Sequence, residues 1–212
     1  GLGIADYSGA GRLGSTGCEA SLWASSSTVV CKSTTGVGRS RSMSMTVGVD
    51  VGSVTESVSY DAPTASAMSQ VPVNLASRAS TMTVQGARMG VSDYSGMARG
   101  GSTACEATMW VSETVTQCKS SAGIGASMTL MVTAGMQAGS TTEAVSFDAF
   151  SAMPAWTFNM GATESVSMTV SGMAMGLSGY SGASRVGATA CEASAWISES
   201  SLVSRVASGG AG

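Results

Sequence analysis

One segment occurs three times in this chain at an almost constant interval, and that interval limits the fold more than any other feature. The copies read TGCEASLWASSSTVVC at residues 16–31, TACEATMWVSETVTQC at 103–118 and TACEASAWISESSLVS at 189–204. The first cysteine moves from Cys18 to Cys105 to Cys191 and the tryptophan from Trp23 to Trp110 to Trp196, a period of 87 and then 86 residues. Such a period is too long for one unit of a helical solenoid and suits one small β-sandwich per repeat. The 212 residues then divide into the C-terminal part of a repeat (1–61), a complete repeat (62–148) and the N-terminal part of a third (149–212).

Composition agrees with strands. Gly, Ala, Ser and Thr dominate while strong helix formers are scarce, which favours short strands joined by turns. Two alternating runs recur in the first two repeats. Met43, Met45, Val47 and Val49 match Met128, Leu130, Val132 and Ala134, and the run from Glu56 to Asp61 matches the run from Glu143 to Asp148. Each is read as a strand with one buried face. Tyr60 and Phe147, at the ends of the second run, are expected as core anchors because a large ring buries the most area there.

Cys18 and Cys31 are 13 residues apart, as are Cys105 and Cys118. This suits a disulfide between neighbouring antiparallel strands, closing a loop worth about 3 kcal/mol. A metal site or free thiols are the alternative, but the chain has no His and no C-x-x-C. Disulfides imply an oxidising, extracellular setting. Cys191 has Ser204 where its partner would fall, so it is expected as an unpaired, buried thiol, the alternative being a bond to another chain.

Trp23, Trp110 and Trp196 are expected as core anchors beside the bridge, against the alternative of a ligand-stacking ladder. Glu19, Glu106 and Glu192 follow the first cysteine, and Lys32, Lys119 and Arg205 follow the second position, an arrangement that puts each pair within reach on the outer face. The DYSG turns at residues 6–9 and 93–96 become GYSG at 179–182, so they are read as Gly-rich turns with a packed Tyr and not as calcium loops.

No catalytic set is visible. Without His there is no Ser-His or Cys-His dyad, and no P-loop occurs, so neither an enzyme nor a cofactor is expected. Charged residues make up 11 % of the chain and the net charge is −3, which leaves no basic face for nucleic acid. Ser, Thr or Gly interrupts every apolar stretch before 18 residues, so no membrane insertion is expected in this segment. Neither Asn74 nor Asn159 opens an N-x-[ST] sequon, so any glycan here is expected to be O-linked. Trp156 and Phe158 lie in the second junction with no counterpart in the first, and are candidates for a ligand or interdomain contact.

Set in order, Gly86, Cys105, Cys118, Gly123, Gly125, Val132 and Ser146-Phe147 in the complete repeat resemble the IPT/TIG domain. Gly172 and Cys191 match in the third repeat, and Cys18, Cys31, Gly36, Gly38 and Ser59-Tyr60 in the first. The stricter CEAxxW core is similar to tandem repeats of very large surface proteins of algae and other protists. The resemblance implies immunoglobulin-like β-sandwiches in tandem. It also implies a role in extracellular fibres, cell-surface adhesion, receptor ectodomains or carbohydrate-associated modules. The reading that follows is an extracellular structural protein forming a filament, appendage or surface coat, whose partners are copies of itself or neighbouring repeats, and glycans. The alternative is an adhesion or carbohydrate-binding ectodomain.

Overall fold

The computed structural model describes residues 2–66, 73–75, 79–153 and 165–208, and these are all-β, with no helix among them. In the first repeat the strands are β1 (Ala10–Leu13), β2 (Thr16–Gly17), β3 (Ala20–Ser25), β4 (Thr28–Lys32), β5 (Arg41–Val47) and β6 (Asp50–Val58). They form a four-stranded sheet in the order β2-β1-β5-β6 and a separate β3–β4 hairpin.

The second repeat is fuller. It contains β7 (Thr64–Ser66), β8 (Val73–Leu75), β9 (Thr81–Ala87), β10 (Met97–Gly100), β11 (Thr103–Ala104), β12 (Ala107–Ser112), β13 (Val115–Lys119), β14 (Met128–Ala134) and β15 (Gln137–Phe147). One sheet runs β12-β13-β9-β7 and the other β11-β10-β14-β15-β8, every pairing antiparallel except that of β8 with β15. A single buried cluster draws on both sheets: Met82 and Val84 from β9 and Cys118 from β13 meet Ala98, Leu130, Val132, Ala144, Val145 and Leu75. The two sheets therefore pack face to face with the core between them. Along β14 Leu130, Val132 and Ala134 point inward and are buried, a period-two pattern set by the alternation of side chains along a strand.

The third repeat has β16 (Ser151–Ala152), β17 (Val166–Met173), β18 (Arg185–Val186), β19 (Thr189–Ala190), β20 (Ala193–Ser198) and β21 (Ser201–Val206). They make a sheet β16-β17-β21-β20 and a β18–β19 hairpin. No sheet among the described residues crosses from one repeat to the next.

Two expectations need correcting. The first alternating run ends at Val47: Gly48, at φ 60°, turns the chain, and Val49 is 96 % exposed at the tip of the β5–β6 hairpin. The side chains of β5 are also only half-buried throughout, unlike those of β14, because the β3–β4 hairpin alone stands in place of the four-stranded sheet that faces β14.

Candidate functional site

The cysteine segment folds the same way three times. In each copy the residues after the first cysteine form a hairpin, β3–β4, β12–β13 and β20–β21, with a register shift just after Trp23, Trp110 and Trp196. The outer-face pairs are ion pairs, Lys32–Glu19 at 2.7 Å, Lys119–Glu106 at 2.8 Å and Arg205–Glu192 at 3.1 Å. Glu19 accepts a hydrogen bond from Lys32 and lies beside it as a negative charge, and both effects raise the lysine's pKa above its ordinary value.

Disulfides join Cys18 to Cys31 and Cys105 to Cys118, each with Cα atoms 5.7 Å apart. The bridges do not link facing strand positions, because Cys31 stands opposite Ser21 and Cys118 opposite Thr108. Cys18 and Cys105 precede their hairpins, at the point where the chain leaves one sheet for the other, and their amides donate to the carbonyls of Gly11 and Ala98. Each bridge thus ties a sheet crossing to the second strand of the hairpin that follows it, which in the second repeat is an inner strand of its sheet.

In the third repeat Ser204 takes the inner position, fully buried. Its hydroxyl is hydrogen-bonded with that of Ser184, which is 2.9 Å from that of Ser194. Ser184 replaces Ala98 and Gly11, so a hydroxyl cluster stands where the other repeats have a bridge. Cys191 is free, as expected, and half-buried like the bridged Cys18 and Cys105, not enclosed.

None of the five expected aromatic anchors is fully buried. The side chains that fill the second repeat's core are Leu130, Val84, Val145 and Cys118. Trp110 stands on the inner face of edge strand β12, and its indole N–H donates to the carbonyl of Gly90. The indole nitrogens of Trp23 and Trp196 are buried without a partner. An edge position leaves one flank of a large ring open, whereas central strands enclose aliphatic side chains on all sides.

Phe147 packs, half-buried, against the core cluster of the second repeat, and both it and Tyr60 also brace a turn. Each ring packs against the first glycine of a Gly-aliphatic-Gly turn, Tyr60 on Gly36 and Phe147 on Gly123. Each backbone amide donates to the carbonyl of the second glycine, Tyr60 to Gly38 at 2.9 Å and Phe147 to Gly125 at 2.7 Å. The residue between the glycines, Val37 or Ile124, is thereby held out as a knob.

That knob meets the next repeat. Val37 is only 6 % exposed and lies against Gly90 and Gly135 of the second repeat, where an added methyl group would come within 3.1 and 2.5 Å of it. Both glycines have positive φ, 92° and 51°, which other residues adopt at a cost, and the Tyr94 ring covers the other side of Gly90. Gln137 spans the contact, accepting from the Gly38 amide at 3.0 Å and donating to the Tyr60 carbonyl at 2.8 Å. Arg88 and Asp61 add an exposed ion pair at 3.3 Å.

Ile124 repeats the contact one unit later, against Gly176 and beside Tyr180, whose hydroxyl is 3.5 Å from the Ala122 carbonyl. Here Ile124 is 43 % exposed, and no counterpart of Gly135 or Gln137 stands among the described residues. Beside this second joint is a cavity of about 650 Å³ lined by Phe147, Phe150, Tyr180, Trp196 and Leu202 among others.

No family model and no curated protein matches this chain. Among solved structures it is similar to a protein crystallised with a xylogluco-oligosaccharide, at 10 % identity and a TM-score of 0.38, over 93 % of this chain and 48 % of that one. It is also similar to domains 4–9 of the surface layer protein SbsC, at 12 % identity and a TM-score of 0.20, over 99 % of this chain and 36 % of that one. The chain spans less than half the length of either, and at these scores neither likeness bears on function.

The knob residues and Gln137 were not singled out by the sequence. The available signal was the recurrence of an aliphatic residue between two glycines. Trp156 and Phe158 lie outside the described residues. Among the described residues no group of His, Cys, Asp or Glu could hold a metal ion, and no helix is long and apolar enough to cross a membrane. The two disulfides are consistent with an extracellular location.

Proposed function

We propose that this chain is an extracellular structural protein, a tandem array of immunoglobulin-type sandwiches forming a filament, appendage or surface coat. The carrying observation is the repeated joint: the same turn of one repeat meets the same glycine and tyrosine of the next, from first to second and from second to third. An array that uses unlike faces of like modules extends head to tail, and is an open filament wherever its rotation does not close a ring. The strand orders of the second repeat, with β8 parallel to β15, support the sandwich type, since they match the two sheets of an immunoglobulin fold. On this reading the domain junctions fall near residues 61 and 148. The disulfides and the resemblance to IPT/TIG repeats favour the extracellular assignment.

A carbohydrate-binding or adhesion ectodomain is the second reading, favoured by the aromatic-lined cavity beside Tyr180 and Trp196. Against it, the corresponding inner face of the second repeat is covered by β14 and β15, so the cavity is where two strands pack in a full sandwich. Small-angle scattering and electron microscopy of the purified chain decide between them. An extended string of modules with no affinity for glycan arrays supports the structural reading. A compact particle that binds an oligosaccharide rejects it.

A further inference from the structure

The first repeat carries its own copy of the socket that receives Val37. Gly3, Tyr7, Gly48 and Asp50 occupy the places of Gly90, Tyr94, Gly135 and Gln137. The backbone is preserved: Gly3 has φ 84° and Gly48 φ 60°, and the Tyr7 ring packs on Gly3 as Tyr94 packs on Gly90. No described residue covers this copy. A methyl group added to Gly48 would meet nothing within 4 Å, and Tyr7 is 54 % exposed. Tyr180, beside Ile124 alone, is 39 % exposed, and Tyr94, in the full joint, is half-buried. Exposure of this tyrosine follows how much of a knob is seated on it.

We propose that Gly3, Tyr7 and Gly48 form a docking socket for the Gly-aliphatic-Gly turn of another sandwich unit, which would seat there as Val37 seats on the second repeat. The inference rests on the structural-array reading for the kind of partner, and on the filled joint for its geometry. Asp50 narrows the choice. Where Gln137 both accepts from the turn amide and donates to the Tyr60 carbonyl, a carboxylate only accepts. It also attracts a cation, so the socket suits a turn followed by a base, as Gly36-Val37-Gly38 is followed by Arg39.

The test titrates the whole isotope-labelled chain with a cyclised peptide of residues 34–40, TTGVGRS, and follows the Tyr7 ring and Gly48 amide signals by NMR. Saturable shifts at these two positions with a Kd of about 1 mM or tighter are expected, and a Val37→Asp peptide should produce none. The chain variant Gly48→Leu should abolish the shifts while the Gly135 and Gln137 signals stay in place; Tyr7→Ala serves if that variant fails to fold. Silence at Tyr7 and Gly48 up to about 10 mM peptide overturns the proposal, as do equal shifts with the Val37→Asp peptide or stronger ones with cellotetraose. An elongated chain that ignores the peptide removes the socket and leaves the array reading standing. Peptide binding by a compact chain supports the socket although the array reading has failed.

Discussion

At the scale of single residues, position 204 is the most informative. Cys31 and Cys118 hold the equivalent places, and in the third repeat three hydroxyls fill the space of a covalent bond. Hydrogen bonds hold the folded state but do not restrict the unfolded chain, so the third repeat lacks the loop-closure contribution of the other two. The double variant Ser184→Ala, Ser204→Cys should form a bridge between Cys191 and the introduced thiol and stabilise the repeat by about 3 kcal/mol. Thiol titration of the unfolded protein checks the bond and denaturant midpoints check the gain; two reactive thiols in the variant would refute it. Lys32 offers a second test. Its pKa is raised above the ordinary lysine value by Glu19, so the pair is intact at neutral pH, and the contribution tied to the raised pKa is lost as pH rises through it. Glu19→Gln should return Lys32 to the ordinary range in an NMR titration, with little change in stability because the pair is exposed. The ion pairs were legible in the sequence, since fixed spacing on both sides of a hairpin fixes who faces whom. The hydroxyl cluster was not, because Ser184 is far from Ser204 in sequence and a lone serine carries no pattern.

Among the elements, β14 carries the second repeat. Leu130 is fully enclosed between the sheets, so Leu130→Ala should cost about 2–5 kcal/mol in equilibrium unfolding. Val49→Ala, at an exposed hairpin tip, should change stability by less than about 0.5 kcal/mol. Equal costs for the two would mean that the sheets do not enclose β14 as described. Strand existence was legible in the sequence for a physical reason: alternation of aliphatic and small polar residues is what a half-buried pleat requires. The irregular features were less so. Glu56 and Glu143 sit at φ 51° and 53° where the β5–β6 and β14–β15 registers shift, yet glutamate is not a residue that announces a left-handed conformation. The aromatic residues were only partly legible for a related reason. Ring size indicates how much area is to be buried, but not whether it is buried in a core or behind a turn: Phe147 packs on both, and Tyr60 braces its turn.

For the whole molecule, the joints decide whether the repeats behave as beads or as a rod. Burying Val37 contributes about 1.5–3 kcal/mol, and the two Gln137 hydrogen bonds add about 1 kcal/mol each, against a single exposed ion pair of small value. Val37→Asp should therefore uncouple the first two repeats, seen as two separate calorimetric transitions and a broader distribution of lengths in scattering. A single unchanged transition would show that coupling comes from elsewhere. The period shows that the sequence repeats, but nothing local in it says that a turn in one repeat belongs to a socket in the next, since that pairing joins residues far apart in the chain.

The joint has one more consequence. In the proposed array, a joint repeated with one geometry would make the step from each module to the next one fixed rotation and one fixed advance, and the array a screw. Its pitch would then be set by a handful of side chains, chiefly the aliphatic knob and the glycine and tyrosine that both joints share, and its length would grow in proportion to the number of modules. A small change of angle at a single junction is then inherited by every module beyond it, which gives those few positions leverage over shape at distances no individual contact reaches.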